Sequence, residues 1–230
     1  MEYSSDQNIG QIISSLSHEL RTPLTILSSN LQLLKSSNQN LDPILRAETF
    51  QLCEEALTAV SRFLDDIHFI NLSNKNELKQ TPQDVDINQL IAKVLESKNT
   101  CFYNSNRIHV FSPSEALVFK TDETLLTKVI TNLLSNAYKF SAKEIALRVS
   151  NGANQLNIEI QDQGVGIPAD QIEFIFMPFY RCENVKMLSG TGLGLSVAQK
   201  AANCLNGEII IDSTLSKGTT AKLKILSDER

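Results

Sequence analysis

The sequence predicts two domains: an all-α helical hairpin that pairs into a dimeric four-helix bundle, then an α/β two-layer sandwich. Three observations lead there. Apolar residues over the first seventy positions recur at steps of three and four. A polar stretch, NLSNKNELKQTPQD, then interrupts the chain. Beyond it helical and strand-like patterns alternate in mixed order, which two packed layers accommodate. The composition permits this: the 230 residues are 42% hydrophobic and 20% charged, with a net charge of −5. That is enough for a packed core. No Lys/Arg-rich block offers a nucleic-acid footprint, so no nucleic-acid partner is expected. No apolar run approaches the roughly 18 residues of a membrane helix, and MEYSSDQNIG does not read as a signal peptide.

The elements follow in order. Ile9, Ile13, Leu16, Leu20, Pro23, Leu27 and Leu34 form a heptad seam with polar Asn30 in one slot. Ser36–Asn40 breaks the pattern. Asp42-Pro43 reads as an N-cap followed by proline at the first helical position, where its missing N–H costs nothing. Leu45, Leu52, Ala56, Ala59, Phe63, Ile67 and Ile70 carry the stripe of a second helix. One hairpin cannot cover both apolar faces. Pairing two hairpins does, which predicts a two-fold homodimer; packing on the rest of the chain is the alternative. Residues 1–72 are therefore taken as the helical domain, 73–84 as a linker and 85–230 as the second domain. Within the latter, Ile87–Leu95, Asp122–Phe140 and Leu193–Leu205 read as helices. Arg107–Phe111, Ala116–Lys120, Glu144–Ser150, Gln155–Asp162, Glu208–Asp212 and Thr219–Leu226 read as strands, with turns at Asn151-Gly152 and near Lys217-Gly218. The four cysteines are scattered without a CxxC, and no histidine joins them at metal-ligand spacing.

Two groups of residues carry chemistry. In the first helix His18 falls at the heptad position furthest from the seam, so it is expected in solvent, sharing a face with Thr22 four residues on. Pro23 crowds the Glu19 carbonyl and predicts a kink there. A neutral imidazole beside a carboxylate can attack an electrophile while the carboxylate takes its proton. A solvated His-Glu pair is the ordinary alternative.

The second group lies downstream. Asn132, Asn136 and Lys139 fall within about 60° of arc on one helix. Amide oxygens suit Mg²⁺, and a lysine suits a phosphate. Asp162-Gln163-Gly164-Val165-Gly166 follows a strand; an aspartate there can accept a hydrogen bond from an adenine amino group. Gly190-Thr191-Gly192-Leu193-Gly194-Leu195 opens a helix whose free N–H groups favour anions. A dinucleotide-binding reading is poor, because the polar residues 181–189 stand where its first strand is needed.

The string Ser17-His18-Glu19-Leu20-Arg21-Thr22-Pro23 resembles the phosphoacceptor box of sensor histidine kinases. The three downstream segments, in this order, resemble the N, G1 and G2 boxes of that family's ATP domain, a GHKL or Bergerat fold shared with DNA gyrase B, Hsp90 and MutL. Phe174–Arg181 (FIFMPFYR) resembles its F box, although spacing alone reads these aromatics as core. The resemblance spans about Ile9 to Leu226. It implies that His18 takes the γ-phosphoryl group of ATP and then passes it to an aspartate of a response regulator. Glu19 would be the general base, and Thr22 would position water in a phosphatase reaction. Asn136 would ligate Mg²⁺, with Asn132 near the phosphates and Lys139 on one of them. Phe140 would stack near adenine and Asp162 would recognise it. Gly164, Gly166, Gly190, Gly192 and Gly194, with Thr191, Leu193 and Leu195, would complete the nucleotide loops. Thr219 would reach the adenine through water. Residues 181–189 would form a lid whose Arg181 or Lys186 touches phosphate.

The partners so implied are a second copy of the chain, a receiver domain docking near Ser14, Ser15 and Leu24, and a sensor not contained in this sequence. The location implied is the cytoplasm, as a soluble enzyme or as the cytoplasmic part of a membrane-anchored receptor. The turn at Ser36–Leu41 would decide whether phosphorylation runs within or across protomers. Two alternatives stand beside this reading: a catalytically degenerate docking scaffold, and a GHKL ATPase driving a clamp.

Overall fold

In a computed structural model the protein is described over residues 5–36, 41–97, 100–103, 105–113, 115–152, 154–186, 188 and 190–227. The side chains of residues 5–15 and of His18 lie outside that description, as do Ser37–Asn40 of the expected break. The described residues form two compact units, the first of residues 5–68 with 190–191 and the second of the remainder from Phe69 on.

The first unit is built on α1 (Ser5–Ser36) and α2 (Pro43–Asn74), each of 32 residues. Asp42 starts α2 as the sequence suggests, its Oδ1 accepting from Ile44 N at 2.7 Å. Pro23 stands inside α1. The seam positions Leu16, Leu20, Pro23, Leu27, Asn30 and Leu34 are half-buried, whereas Leu24, Ile26, Leu31 and Leu33 are exposed. Asn30 satisfies its polar slot locally, donating from Nδ2 to Ile26 O at 2.9 Å.

Helix α2 departs from its expected stripe. Ala56 and Phe63 are buried, joined by Thr49 and Cys53, while Leu45 and Leu52 are each 45% exposed and Ala59 is exposed. The apolar band is therefore wider than the folded chain covers. Heptad spacing alone merges the two edges of such a band, because they differ by less than a quarter turn.

The second unit contains β1 (Gln83–Asp86), α3 (Ile87–Glu96), β2 (Ile108–Phe111), β3 (Val118–Thr121), α4 (Glu123–Phe140), β4 (Ile145–Gly152), β5 (Gln155–Gln161), α5 (Gly194–Cys204), β6 (Gly207–Thr214) and β7 (Gly218–Leu226), with 3₁₀ turns at Ala169–Phe174 and Glu183–Val185. The main sheet has the order β2-β4-β5-β7-β6, with β2 parallel to β4 and the remaining pairs antiparallel. Its strands alternate as period two requires. Ile145, Leu147, Val149, Leu156, Ile158, Ile160, Ala221, Leu223 and Ile225 are buried. On the other face Arg148, Glu159 and Lys222 form an ion-pair row at 3.2 and 3.5 Å. The core is closed by Leu126, Val129, Ile130 and Leu134 of α4 and by Val197, Ala198, Ala201 and Ala202 of α5, all buried. Each fully buried Leu, Ile or Val contributes about 1.5–3 kcal/mol.

Three local devices fix α4, the helix that carries the asparagines. Asp122 is its N-cap rather than its first residue, accepting from Leu125 N at 2.9 Å. The other carboxylate oxygen of Asp122 accepts from the backbone N–H and the hydroxyl of Thr81, at 2.8 and 2.9 Å. Burial alone would raise this carboxyl; the donors from Leu125 and Thr81 outweigh it and hold it below its ordinary value. At the far end the Arg107 guanidinium lies 3.9 Å from the Tyr138 ring centroid and donates to Ser141 O at 2.7 Å.

Strand β1 is the element the sequence does not announce. It begins in the last two residues of the expected linker, runs into the second domain and pairs antiparallel with β3, Val85 opposite Phe119. Its only apolar residue is Val85, so no periodicity marks it; backbone pairing and the Thr81–Asp122 bonds hold it instead.

Candidate functional site

The site is assembled at one end of the main sheet from α4, the loop after β5, the start of α5 and the β6–β7 hairpin. The stripe on α4 is as the spacing requires. Asn132 Nδ2 donates to Lys128 O at 2.9 Å, which turns its Oδ1 away from its own helix. A Cβ on Gly194 would come within 3.0 Å of Asn132 Oδ1 and 3.9 Å of Asn136 Oδ1. The two carboxamide oxygens thus converge on the first turn of α5, an approach that a side chain at 194 would crowd. Helix α5 has no side-chain cap at Leu193, and its peptide dipoles place positive charge at that end. Lys139 is exposed, with Nζ 4.9 Å from the Phe140 ring centroid.

Gly190 (φ 145°) and half-buried Thr191 lead towards α5 along the chain. Gly192 takes φ 70°, and a Cβ there would stand 2.8–2.9 Å from backbone atoms of Phe179 and Tyr180, so glycine is required twice over. Gly192 O accepts from Phe179 N at 3.0 Å. Phe179 itself holds φ 68°, a left-handed conformation that is strained for an aromatic residue. Leu193 is fully buried.

The far end of the site is built on Asp162. It is only 9% exposed, and its Oδ1 accepts from Gly164 N at 2.7 Å. Burial pushes its carboxyl above the ordinary value, against the opposite pull of the Gly164 and Thr219 backbone donors. Asp162 N donates to Thr219 O at 2.9 Å, extending the β5–β7 ladder by one residue. Gly164 passes so close to Phe140 that a Cβ would meet its carbonyl oxygen, and Val165 N donates to that same oxygen at 3.1 Å. Phe140, Ile167, Phe176, Tyr180, Leu195 and Ile211 pack around buried Ile175, Cys182 and Val185, giving this end an apolar wall.

The segment 181–189, expected to be irregular, contains a 3₁₀ turn at Glu183–Val185 with Cys182 and Val185 buried. Arg181 Nη2 donates to Val185 O at 2.9 Å and also to Leu188 O. Asn184 Nδ2 donates to Gly166 O at 2.9 Å. Arg181 thus braces its own loop, and Asn184 ties that loop to the glycines after β5. Neither contact is visible in spacing. Two shallow cavities of about 480 and 460 Å³ lie on the open face of the sheet, around Phe111 and Arg148. Of the segments singled out in the sequence they touch only Gln163.

In the first unit His18 and Glu19 lie on α1, with Glu19 half-buried and Thr22 exposed. The expectation that the His18 side chain reaches solvent falls outside the described residues.

Residues 8–71 match the family model described as the His Kinase A (phospho-acceptor) domain. Residues 121–229 match the one described as the histidine kinase-, DNA gyrase B- and HSP90-like ATPase. Sensor protein kinase WalK of Staphylococcus haemolyticus (strain JCSC1435) is 30% identical over 219 residues, covering 91% of this chain and 35% of WalK. The signal transduction histidine-protein kinase ArlS of Staphylococcus aureus (strain USA300) is 30% identical over 217 residues, covering 93% of this chain and 48% of ArlS. The chain belongs to the sensor histidine kinases.

The histidine kinase chain spans less than half the length of these relatives. Its fold is that of the Acinetobacter baumannii histidine kinase AdeS, with a TM-score of 0.66 at 24% identity over 92% of this chain and 98% of that one. It is also that of full-length ShkA, solved in complex with AMPPNP, with a TM-score of 0.65 at 23% identity over 95% of this chain and 46% of that one. No described helix of the kinase chain is long and apolar enough to cross a membrane.

Proposed function

We propose that this chain is the catalytic portion of an ATP-dependent protein-histidine kinase. It phosphorylates itself on His18, passes the phosphoryl group to an aspartate of a response-regulator receiver domain, and removes it again with Thr22 positioning water. The observation that carries this reading is the convergence of the Asn132 and Asn136 oxygens on the uncapped N-terminus of α5, where phosphates and a hard cation find complementary charge. The AMPPNP in the ShkA complex is consistent with a nucleotide here.

Two amide oxygens beside a phosphate-binding helix end are a donor set that fits Mg²⁺, with Asn136 as ligand. Bound there, the ion would offset charge on the triphosphate. The chain's own residues do the rest. Lys139 meets a phosphate as a point charge. Asp162 accepts from the adenine amino group, Phe140 lies against the base, and Gly164, Gly166, Gly190, Thr191, Gly192, Leu193, Gly194 and Leu195 bring backbone close to the nucleotide. Glu19 takes the imidazole proton as His18 attacks the γ-phosphorus; the nitrogen–phosphorus bond forms as the bond to the β,γ-bridging oxygen breaks and ADP leaves. The chain works as a homodimer in the cytoplasm, joined through the exposed apolar edge of α2.

The test is incubation with γ-labelled ATP and Mg²⁺ beside a His18→Gln variant. Protein-bound label that is stable in alkali, labile in acid and absent from the variant is expected. Label persisting in the variant would overturn the assignment of His18. The clamp and scaffold alternatives have no observation in their favour, and a clamp ATPase leaves the match of residues 8–71 unexplained.

A further inference from the structure

We propose that Ser213, which no motif marks, sets the purine selectivity of this kinase by fixing the Thr219 hydroxyl as a hydrogen-bond acceptor. The inference rests on the seat for the base proposed above. Ser213 is on β6 directly opposite Thr219 on β7, and Thr219 is in turn paired through its carbonyl with Asp162 N. Register therefore places the three side chains in one row across neighbouring strands, on a single face of the sheet.

The Ser213 hydroxyl makes three contacts. It accepts from Ile167 N at 2.9 Å, it lies 3.0 Å from Gly218 O, and it lies 2.8 Å from Thr219 Oγ1. A serine has one proton and two lone pairs. All three contacts are hydrogen bonds at once in only one arrangement. The Ser213 proton goes to Gly218 O, and its lone pairs receive the Ile167 N–H and the Thr219 O–H. The proton of Thr219 is then directed away from the base, and what Thr219 offers the site is lone pairs alone.

Thr219 and the Asp162 carboxylate then form a pair of acceptors side by side. Such a pair suits a purine bearing an amino group at C6, directly or through one ordered water. It opposes a purine bearing a carbonyl at C6, which brings an acceptor against acceptors. Ser213 touches no base in this scheme; it is a positioning residue acting through Thr219.

The experiment measures ADP and IDP binding by calorimetry on the full chain, for the wild type, Ser213→Ala, Ser213→Thr and Asp162→Asn. Removing the Ser213 hydroxyl lets Thr219 rotate and donate, so Ser213→Ala is expected to weaken ADP and spare or improve IDP. The ADP-over-IDP preference should fall by roughly 3- to 10-fold, the worth of one neutral hydrogen bond. Ser213→Thr keeps the hydroxyl on a strand-favouring residue and should restore the preference. A merely structural role would weaken both nucleotides alike and leave their ratio unchanged, and that result overturns the inference. If Ser213→Ala does not fold, Thr219→Val removes the same acceptor and is expected to lower the ratio equally; an unchanged ratio overturns the proposal. Failure of the underlying seat looks different: ADP binding would then be indifferent to Asp162→Asn.

Discussion

Replacing Asp162 by asparagine should move nucleotide binding and stability in opposite directions. The substitution keeps the size and shape of the side chain. Its Oδ1 is held by the Gly164 N–H at 2.7 Å, so the amide oxygen must take that place and the NH₂ group must turn towards the site. An adenine amino group would then face a donor where it had met a carboxylate. A hydrogen bond to a charged partner is worth about 1.5–3 kcal/mol, so ATP affinity should fall about 10- to 150-fold.

Stability should not fall. Burial raises the Asp162 carboxyl above its ordinary value, so the folded state binds this proton more readily than the unfolded chain does. For such a group stability declines as pH rises from the ordinary carboxylate value through the raised one. The asparagine, which carries no charge, escapes that decline. At neutral pH the variant should melt at the same temperature as the wild type or higher, and the gap should close on acidification. ATP affinity of the wild type should weaken as pH falls through the raised value, and this component should vanish in the variant. Calorimetric titration with a parallel melting series at several pH values reads both quantities. Undiminished affinity, or a loss that follows a drop in melting temperature, would refute the reasoning.

Asp122→Ala removes the N-cap of α4 and both bonds to Thr81; a loss of about 2 kcal/mol is expected in denaturant unfolding. Because the folded Asp122 carboxyl is held below its ordinary value, its contribution is present above that ordinary value and disappears as pH falls through the lowered one, so variant and wild type should converge in acid. Arg107→Ala removes the contact over Tyr138 and the cap on Ser141 O, and should lower the melting temperature of the second unit by about 2–4 °C for each kcal/mol lost; Arg107→Lys should recover little, since an ammonium cannot stack as a plane. Leu52→Asp places a charge on the exposed edge of α2. Lost apolar burial alone, about 2 kcal/mol per dimer, predicts about 30-fold weaker association by sedimentation, with ATP binding by the second unit unchanged.

What could be read in advance depended on the range over which each feature is encoded. Asn132 and Asn136 are four residues apart on one helix, so helical geometry alone placed their side chains together. Their approach to Gly194 depends on how α4 and α5 pack, and only the family resemblance anticipated it. Asp162 was legible in the same way, since an aspartate ending a strand is otherwise ordinary. Ser213 left no signal. The β6–β7 hairpin was expected, but pairing Ser213 with Thr219 requires its register, which the turn at Leu215–Lys217 sets. Strand β1 escaped because one valine makes no pattern. The edges of α2 were merged because periodicity reports that a residue is apolar, not which neighbour covers it.

That wide band on α2 has a consequence for how the molecule denatures. One edge is covered when the chain folds, while Leu45 and Leu52 on the other each remain 45% exposed. If association covers the second edge, the helical unit draws part of its stability from mass action. Its melting temperature should then climb with protein concentration, while the unit that carries Asp162 melts at a temperature indifferent to dilution. A single unfolding curve would conceal the difference; a dilution series separates the two units without altering a residue.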